Sequence, residues 1–320
     1  MGSMGLAEDI KQKALDLGFD LVGITDASAI DTEQVEFLAN WLRAGYAGQM
    51  QYMHRNFEKR TNPAKLLEGA QSVICVGLNY TPARKQEERA KTDVPTGRVA
   101  DYAQYEDYHS FIKKRLRKLA DFVCSFAGEN VRFKICVDSA PLAERAVAAR
   151  AGLGFIGKNH MLINPSLGPQ VLLGEIITTL ELQTDKPIAN NCSDCNKCRQ
   201  ACPTGALRVD GQFDANKCIS YLTIEHKGEI PADLGKRTGG RLFGCDECVL
   251  ACPYQQNAPM CRNKEFKFYS DRARISLREV LNLSAEDFKT KFADSVIKRL
   301  GLDGLRRNAQ ICLANSSRQE

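Results

Sequence analysis

The sequence predicts an α+β fold: a helix-covered sheet, then a cysteine-rich module, then closing C-terminal helices. Three observations carry this. Helical and strand-like patterns alternate over residues 1–182, the mark of one sheet layered with helices. From Asn190 to Cys261 the composition turns to Cys, Pro and Gly. Over residues 276–315 an amphipathic helical pattern returns. These shifts divide the chain into segments 1–183, 184–262 and 263–320.

Residues 6–17 carry apolar side chains at helical spacing, and Gly18 ends the pattern. Residues 19–24 read as a strand, and 35–44 as a helix that stops before Gly45. The run SVICVGL over 72–78 is apolar throughout, which predicts a buried strand. Residues 81–96 are charged, with Pro82 and Pro95, and read as an exposed loop. Residues 108–126 form a long helix with Phe111, Ile112, Leu116, Leu119 and Phe122 on one stripe. Residues 131–137 are a strand, followed at once by a helix over 141–150, and 171–182 are again strand-like.

Hydrophobic content of 43% and charged content of 26% over 320 residues fit an ordinary globular protein. No run of 18 apolar residues exists, so no transmembrane helix is expected. No charged-then-apolar leader is present, and Met1-Gly2-Ser3 before Met4 looks like a cloning scar. The expected location is the cytoplasm. Thirteen cysteines without a secretion signal favour metal binding over a disulfide framework. The net charge of +5 is uneven: residues 261–320 hold 13 Lys or Arg against 8 Asp or Glu. A second basic run is Lys113, Lys114, Arg115, Arg117 and Lys118. Either tracks a phosphate backbone or is a solvated helix face.

The cysteine spacing is the strongest signal. Cys192-x2-Cys195-x2-Cys198-x3-Cys202-Pro203 is the bacterial ferredoxin run. Three thiolates at steps of three wrap one cubane, and the fourth points to a second cluster. Cys245-x2-Cys248-x3-Cys252-Pro253 repeats the run without its leading cysteine, which Cys218 supplies through a longer loop. The crossed pattern assigns Cys192, Cys195, Cys198 and Cys252 to one [4Fe–4S] cluster. It assigns Cys202, Cys218, Cys245 and Cys248 to the other. Zinc is the competing metal, but this spacing is not that of a zinc finger. Cys75, Cys124, Cys136, Cys261 and Cys312 read as small core residues.

Gly152-x-Gly154-x-x-Gly157 matches the dinucleotide fingerprint but follows a helix instead of a strand, so NAD binding is rejected. The glycines still permit close backbone approach to something flat or bulky. Asp138 ends the 131–137 strand just before a helix. It is either a helix N-cap, a role open also to Ser139, or an acid facing a cleft. Apolar surroundings would raise its pKa and keep it protonated, ready to donate.

These residues carry a family resemblance. The matching segments are Tyr102-Ala103 with Asp107-Tyr108-His109, VDSAPLAERA from Val137, AGLGFIGKN from Ala151 and LGEIITTLEL from Leu173. After the first cysteine run come CISYLTIEHKG from Cys218, FGCDECVLACP from Phe243 and RRNAQICLAN from Arg306. In this order, over nearly the whole chain, they resemble the epoxyqueuosine reductases, cobalamin-dependent iron–sulfur enzymes of tRNA modification. The resemblance implies reduction of epoxyqueuosine at the tRNA wobble position to queuosine. Electrons would pass from the outer cluster to the inner one and on to cobalamin, which has no protein histidine on cobalt. It makes Asp138 the general acid and places Arg60, Tyr102, Asp138, Lys158, Asn159 and Ser220 near the corrin. His109 and His160 read instead as satisfied hydrogen-bonding residues. The first segment is expected to be a flavin-reductase or nitroreductase-like sheet sandwich. Implied partners are tRNA carrying epoxyqueuosine and an external low-potential electron donor, with no membrane and a monomeric chain.

Two features depart from the family pattern. The chain resembles the short form, without a C-terminal helical-repeat domain, and Gly168-Pro169-Gln170 replaces a Gly-Ser-aromatic segment. Two other readings are carried along: a cobalamin-dependent reductase of small molecules, dehalogenase-like, and a non-catalytic two-cluster electron carrier. The 180 or so residues ahead of the clusters have no use in a mere carrier. One prediction follows from the spacing alone. Cys218→Ala lowers iron content towards that of one cluster; unchanged iron would remove Cys218 from the ligand set.

Overall fold

Strands in chain order are β1 (Leu21–Asp26), β2 (Ser72–Asn79), β3 (Thr96–Val99), β4 (Phe133–Cys136), β5 (Phe155–Ile156), β6 (Leu162–Ile163), β7 (Val171–Thr178), β8 (Arg241–Phe243) and β9 (Arg274–Ser276). The structure, a computed structural model, describes residues 3–83, 94–127 and 130–317. The main sheet has the order β1-β2-β7-β4 with every neighbouring pair antiparallel. β2 is buried at every position, because helices cover both faces. Alternation along the strands sorts the side chains. Ile74, Val76, Leu78, Leu172 and Ile176 face the helices Ser3–Asp16 and Tyr108–Ala127, through Ile10, Ala14, Ile112, Leu116 and Leu119. Val73, Cys75, Cys136 and Ile177 face the helix Glu144–Arg150, through Ala146, Val147 and Ala148.

A second, smaller sheet has the order β8-β3-β9. It draws one strand from each of the three sequence segments and was not expected from the sequence. Its strands of three or four residues are too short to show a two-residue period. The helices Leu277–Asn282, Ala285–Lys291 and Gly301–Ser316 pack on it through Leu277, Val280, Phe288, Leu305 and Ala309. Ser284 opens the middle one with a full capping box on Asp287. Most of the loop expected over 81–96, residues 84–93, lies outside the described residues.

The cysteine module is held to the sheet by buried polar contacts as well as packing. Trp41 Nε1 donates to the Phe213 carbonyl at 2.6 Å, within a core that includes Ala215, Tyr221 and Leu222. Gln170 is fully buried. It donates to Asp101 at 2.7 Å and accepts from Gln255 at 2.8 Å. The unusual Gly168-Pro169-Gln170 segment therefore bolts the end of the sheet to the helix that follows Cys252.

The three glycines of the false dinucleotide motif serve the chain's own packing. A Cβ at Gly154 would meet the Ile163 carbonyl at 2.4 Å, and one at Gly157 the Ile163 side chain at 2.3 Å. They close the β5–β6 hairpin onto its neighbours. Cys75, Cys136 and Cys312 are buried, but Cys124 is exposed and Cys261 only half-buried. Cys124 lies on the outer stripe of its helix, where a single cysteine gives no periodic signal. Among the described residues, no helix is long and apolar enough to cross a membrane.

Candidate active site and cluster module

Short helices and turns bring the eight motif cysteines into two groups. Cys198 feels the charges of Cys192 and Cys195, and Cys252 those of Cys192 and Cys198. Cys248 feels Cys218, Cys245 and Cys202, and Cys218 feels Cys202. Backbone N–H groups are aimed at the sulfurs. Tyr221 and Ser220 donate to Cys218, and Tyr254 and Gln255 to Cys252. Burial pushes the Cys202 thiol up, but the amides of Leu207, Thr204 and Ala206 outweigh it and bring it below its ordinary value. Donors of this kind orient and tune thiolate ligands of iron. Among the described residues, no three His, Cys, Asp or Glu side chains converge on a single-ion position. A cubane instead takes one thiolate at each iron corner.

Asp138 follows β4 with φ +55°. A non-glycine residue is held in that left-handed region at a cost on the order of 1–3 kcal/mol. Neither Asp138 nor Ser139 caps a helix, because the next one begins after Ala143 with no side-chain cap. The Asp138 amide donates instead to the Glu144 carboxylate. Asp138 Oδ2 lies 3.0 Å from His109 Nε2 and 3.8 Å from Arg299 Nη1. His109 Nδ1 lies 2.7 Å from Asp107 Oδ1, and Lys298 Nζ is 3.1 Å from Asp107 Oδ2. Ionised carboxylates only accept hydrogen bonds, so an imidazole bridging two of them donates from both nitrogens, as imidazolium.

The electrostatics agree with that bridge. Burial opposes charge on His109, but the hydrogen bonds to Asp107 and Asp138 prevail and raise its pKa. Burial likewise pushes Asp138 up. The His109 hydrogen bond and charge, then Arg299 and Arg145, reverse this and hold it below the ordinary carboxylate value. This corrects the sequence expectation of a raised pKa at Asp138. The apolar residues beside it in sequence are not its surroundings in space, and the resting proton belongs on His109. The Asp138 side chain is half exposed yet densely surrounded, as at the floor of an open cleft. Tyr52, Tyr102, Tyr108 and Glu225 all sense its charge, so they stand within electrostatic reach of it.

The residues singled out from the sequence divide between two places. Arg60, Tyr102 and Asp138 gather at the cleft. Arg60 is buried, donates to the Tyr52 carbonyl at 3.1 Å, and leaves its Nε without a partner. Lys158 and Asn159, in the β5–β6 turn, contact the cysteine segments instead, and Ser220 opens the helix Ile219–Ile224 just after Cys218. Lys158 Nζ donates to the carbonyls of Ser193 at 2.6 Å and Cys195 at 3.1 Å, and its amide to Cys192 Sγ at 3.4 Å. Asn159 Nδ2 donates to the Cys248 carbonyl at 3.3 Å. The Cys202–Cys218–Cys245–Cys248 group is the one beside the cleft: Asp246 accepts from the Asp101 amide at 2.7 Å and its charge reaches Tyr102.

His160 stacks on Phe37 at 5.5 Å, and burial lowers its pKa to about 4. It is a neutral packing residue. His109 is satisfied too, but by Asp107 and Asp138, and sequence reading gave no site role to Asp107, His109, Glu144, Tyr52 or Arg299. The available signal was Asp107 and His109 two residues apart at the start of the long helix. In the basic run, Arg115 is buried, stacks over Phe111 and pairs with Glu265. Lys113, Lys114, Arg117 and Lys118 are exposed.

Comparison with known proteins follows the same outline. Residues 60–139 match the family described as epoxyqueuosine reductase QueG, DUF1730, and residues 191–255 match the 4Fe-4S double cluster binding domain. An epoxyqueuosine reductase of Gloeobacter violaceus is 39% identical over 315 residues, covering 97% of this chain and 96% of that protein. A crystal structure of an epoxyqueuosine reductase with a tRNA-Tyr epoxyqueuosine-modified stem loop superposes with a TM-score of 0.90. It is 34% identical, with 97% of this chain and 81% of that one covered. A Bacillus subtilis epoxyqueuosine reductase, seen with its catalytic aspartate loop swung out of the active site, gives a TM-score of 0.89. It too is 34% identical, with 97% and 82% covered.

The site geometry makes a prediction for solution titration. Among the four histidines, His109 titrates above its ordinary 6.5 and His160 near 4. Imidazole nitrogen NMR across a pH series reads both. Asp107→Asn moves the His109 midpoint down. The stabilisation from charged His109 is complete below 6.5 and is lost as pH rises through the raised value. A His109 midpoint below 6.5 in the wild-type chain would contradict the bridge.

Proposed function

The chain belongs to the epoxyqueuosine reductase family, and from that premise we propose that the His109–Asp138 pair delivers the proton in its reaction. The reaction takes epoxyqueuosine in tRNA to queuosine: the epoxide gains two electrons and two protons, the alkene forms and water leaves. The protein uses two [4Fe–4S] clusters and cobalamin for it. Cobalamin, when bound, supplies the two-electron reductant that no side chain provides.

The cleft fits such a cofactor. Tyr52, Tyr102 and Tyr108 stand near Asp138, and Arg60 Nε is buried without a partner among the described residues, a donor available to a polar edge. Both ring nitrogens of His109 are already committed, at 2.7 and 3.0 Å, which supports a cofactor without a histidine ligand. We assign Arg60, Tyr102 and Asp138 to its immediate surroundings. Lys158, Asn159 and Ser220 pack against the cysteine segments between it and the electron entry side. Cys202, Cys218, Cys245 and Cys248 would hold the cluster nearer the cleft and Cys192, Cys195, Cys198 and Cys252 the farther one, and such clusters would supply one-electron transfer from an external low-potential donor.

The single observation that carries the proton assignment is the His109 bridge. Asp138 takes the proton of His109 Nε2 and passes it to the departing epoxide oxygen, which leaves His109 neutral. Asp107 and Lys298 hold the imidazole in line. The exposed Lys113, Lys114, Arg117 and Lys118 lie on the helix that begins with Tyr108 and His109, and supply phosphate contacts for tRNA. Functionally, segment 1–183 is a cofactor-binding unit of the flavin-reductase or nitroreductase type. Segment 184–262 is the cluster unit, segment 263–320 the closing helices, and the chain acts as a monomer. Reduction of a small molecule has no feature here that favours it.

Asp138→Asn tests the assignment. The variant keeps iron content and cobalamin binding but loses turnover by about 100–10,000-fold, the span expected for removal of a general acid. A single-turnover assay on modified tRNA measures it. A near wild-type rate would remove Asp138 from the mechanism.

A further inference from the structure

Glu175 stands in the middle of β7 with no exposed surface. Its neighbours across the sheet are Cys75 on β2 and Cys136 on β4. It points with Ile177 towards the helix Glu144–Arg150, into an apolar layer containing Val73, Val147 and Leu153. No N–H or O–H donor reaches either of its carboxyl oxygens. The polar group its side chain does meet is another carboxyl, that of Glu144. Two ionised carboxylates have no hydrogen to share, so that contact is a hydrogen bond only if one of them is protonated. This reconciles an apparently orphaned acid with an evident partner.

The surrounding charges favour the protonated state. Burial raises the Glu175 pKa, and the charges of Glu144 and Asp138 raise it further. Burial and the Asp138 charge raise that of Glu144, against smaller opposing effects from the Asp138 amide and Arg145. The nearby cations are occupied or facing elsewhere. Arg145 donates to the His160 carbonyl, and Arg150 to Thr25, Ser28 and the Asp26 and Ala29 carbonyls. Arg60 feels Glu144 but makes its hydrogen bond to Tyr52. The Cys75 and Cys136 thiols add no donor to the pair among the described residues, and the charges of Lys134 and Lys113 act on Cys136. At its other end Glu144 accepts the Asp138 amide, the contact that holds Asp138 at positive φ.

We propose that Glu144 and Glu175 share one proton across a buried carboxyl–carboxylate hydrogen bond, and that this pair is the latch that positions Asp138 against His109. Glu175 donates, Glu144 accepts with one oxygen, and its other oxygen remains free to hold the Asp138 amide. Loss of the shared proton places two negative charges beside Asp138 and releases the turn. The latch role rests on Asp138 being the proton donor; the shared proton does not.

Infrared spectroscopy of the cluster-loaded full chain reads the proton without turnover. The wild type shows a neutral carboxylic acid band at neutral pH that shifts in D2O and is missing in Glu175→Gln. Glu175→Leu, which removes the donor, lowers kcat by about a hundredfold, the scale of a small misplacement at a reacting centre. Its KM for tRNA and its iron content stay as in the wild type. Glu175→Gln restores a neutral donor and recovers most of that loss. In the wild type kcat falls on the alkaline side with two protons lost, from His109 and from the pair; in Glu175→Gln the limb becomes a one-proton fall. Absence of an acid band that depends on Glu175 overturns the shared proton. A wild-type kcat and pH profile in Glu175→Leu overturns the latch, even with the band present. If Asp138 proved dispensable, the infrared band would still decide the shared proton by itself.

Discussion

The bridge from Asp107 through His109 to Asp138 is the contact on which the rest of the site depends. It joins the start of a long helix to the end of an edge strand. Lys298 and Arg299 then tie both carboxylates to the C-terminal segment. Five charges of alternating sign therefore fix three distant stretches of chain around one cleft. Each pair alone is worth little near a surface. Half-buried and shared, they reinforce one another, and they set which group holds the proton.

The cluster module depends on this frame because it has little structure of its own. Its helices run from four to seven residues, below the length at which a helix sustains itself. Trp41, Gln170 and the β3–β8 pairing anchor it to the sheet. The clusters supply the remaining order, since metal binding and folding are one free-energy balance in such loops. The same anchors place the second cysteine group beside the cleft.

Local information reached much of this. The x2-x2-x3-Pro spacing acts over ten residues and could be read directly. So could the buried run of β2 and the apolar stripe of the helix Tyr108–Ala127. What escaped depends on partners far away in sequence. The pKa of Asp138 is set by His109, 29 residues before it, and so reversed the expectation drawn from its neighbours. Glu175 sat unnoticed inside an apolar strand, because a single acid in such a run has no periodic signature. Lys158, Asn159 and Ser220 were expected near the corrin, and only the folded chain shows that they contact the cysteine segments. The small β8-β3-β9 sheet joins strands about 145 and 180 residues apart, with no pattern in any of them to announce it.

The central claim is that this cleft reduces epoxyqueuosine in tRNA with cobalamin and protein-held protons. Anaerobic incubation of the reconstituted protein with epoxyqueuosine tRNA and a strong reductant, with and without cobalamin, tests it most directly, by mass spectrometry of the released nucleosides. The account predicts queuosine only when cobalamin is present. Unconverted epoxyqueuosine, with both clusters intact and cobalamin bound, would contradict it.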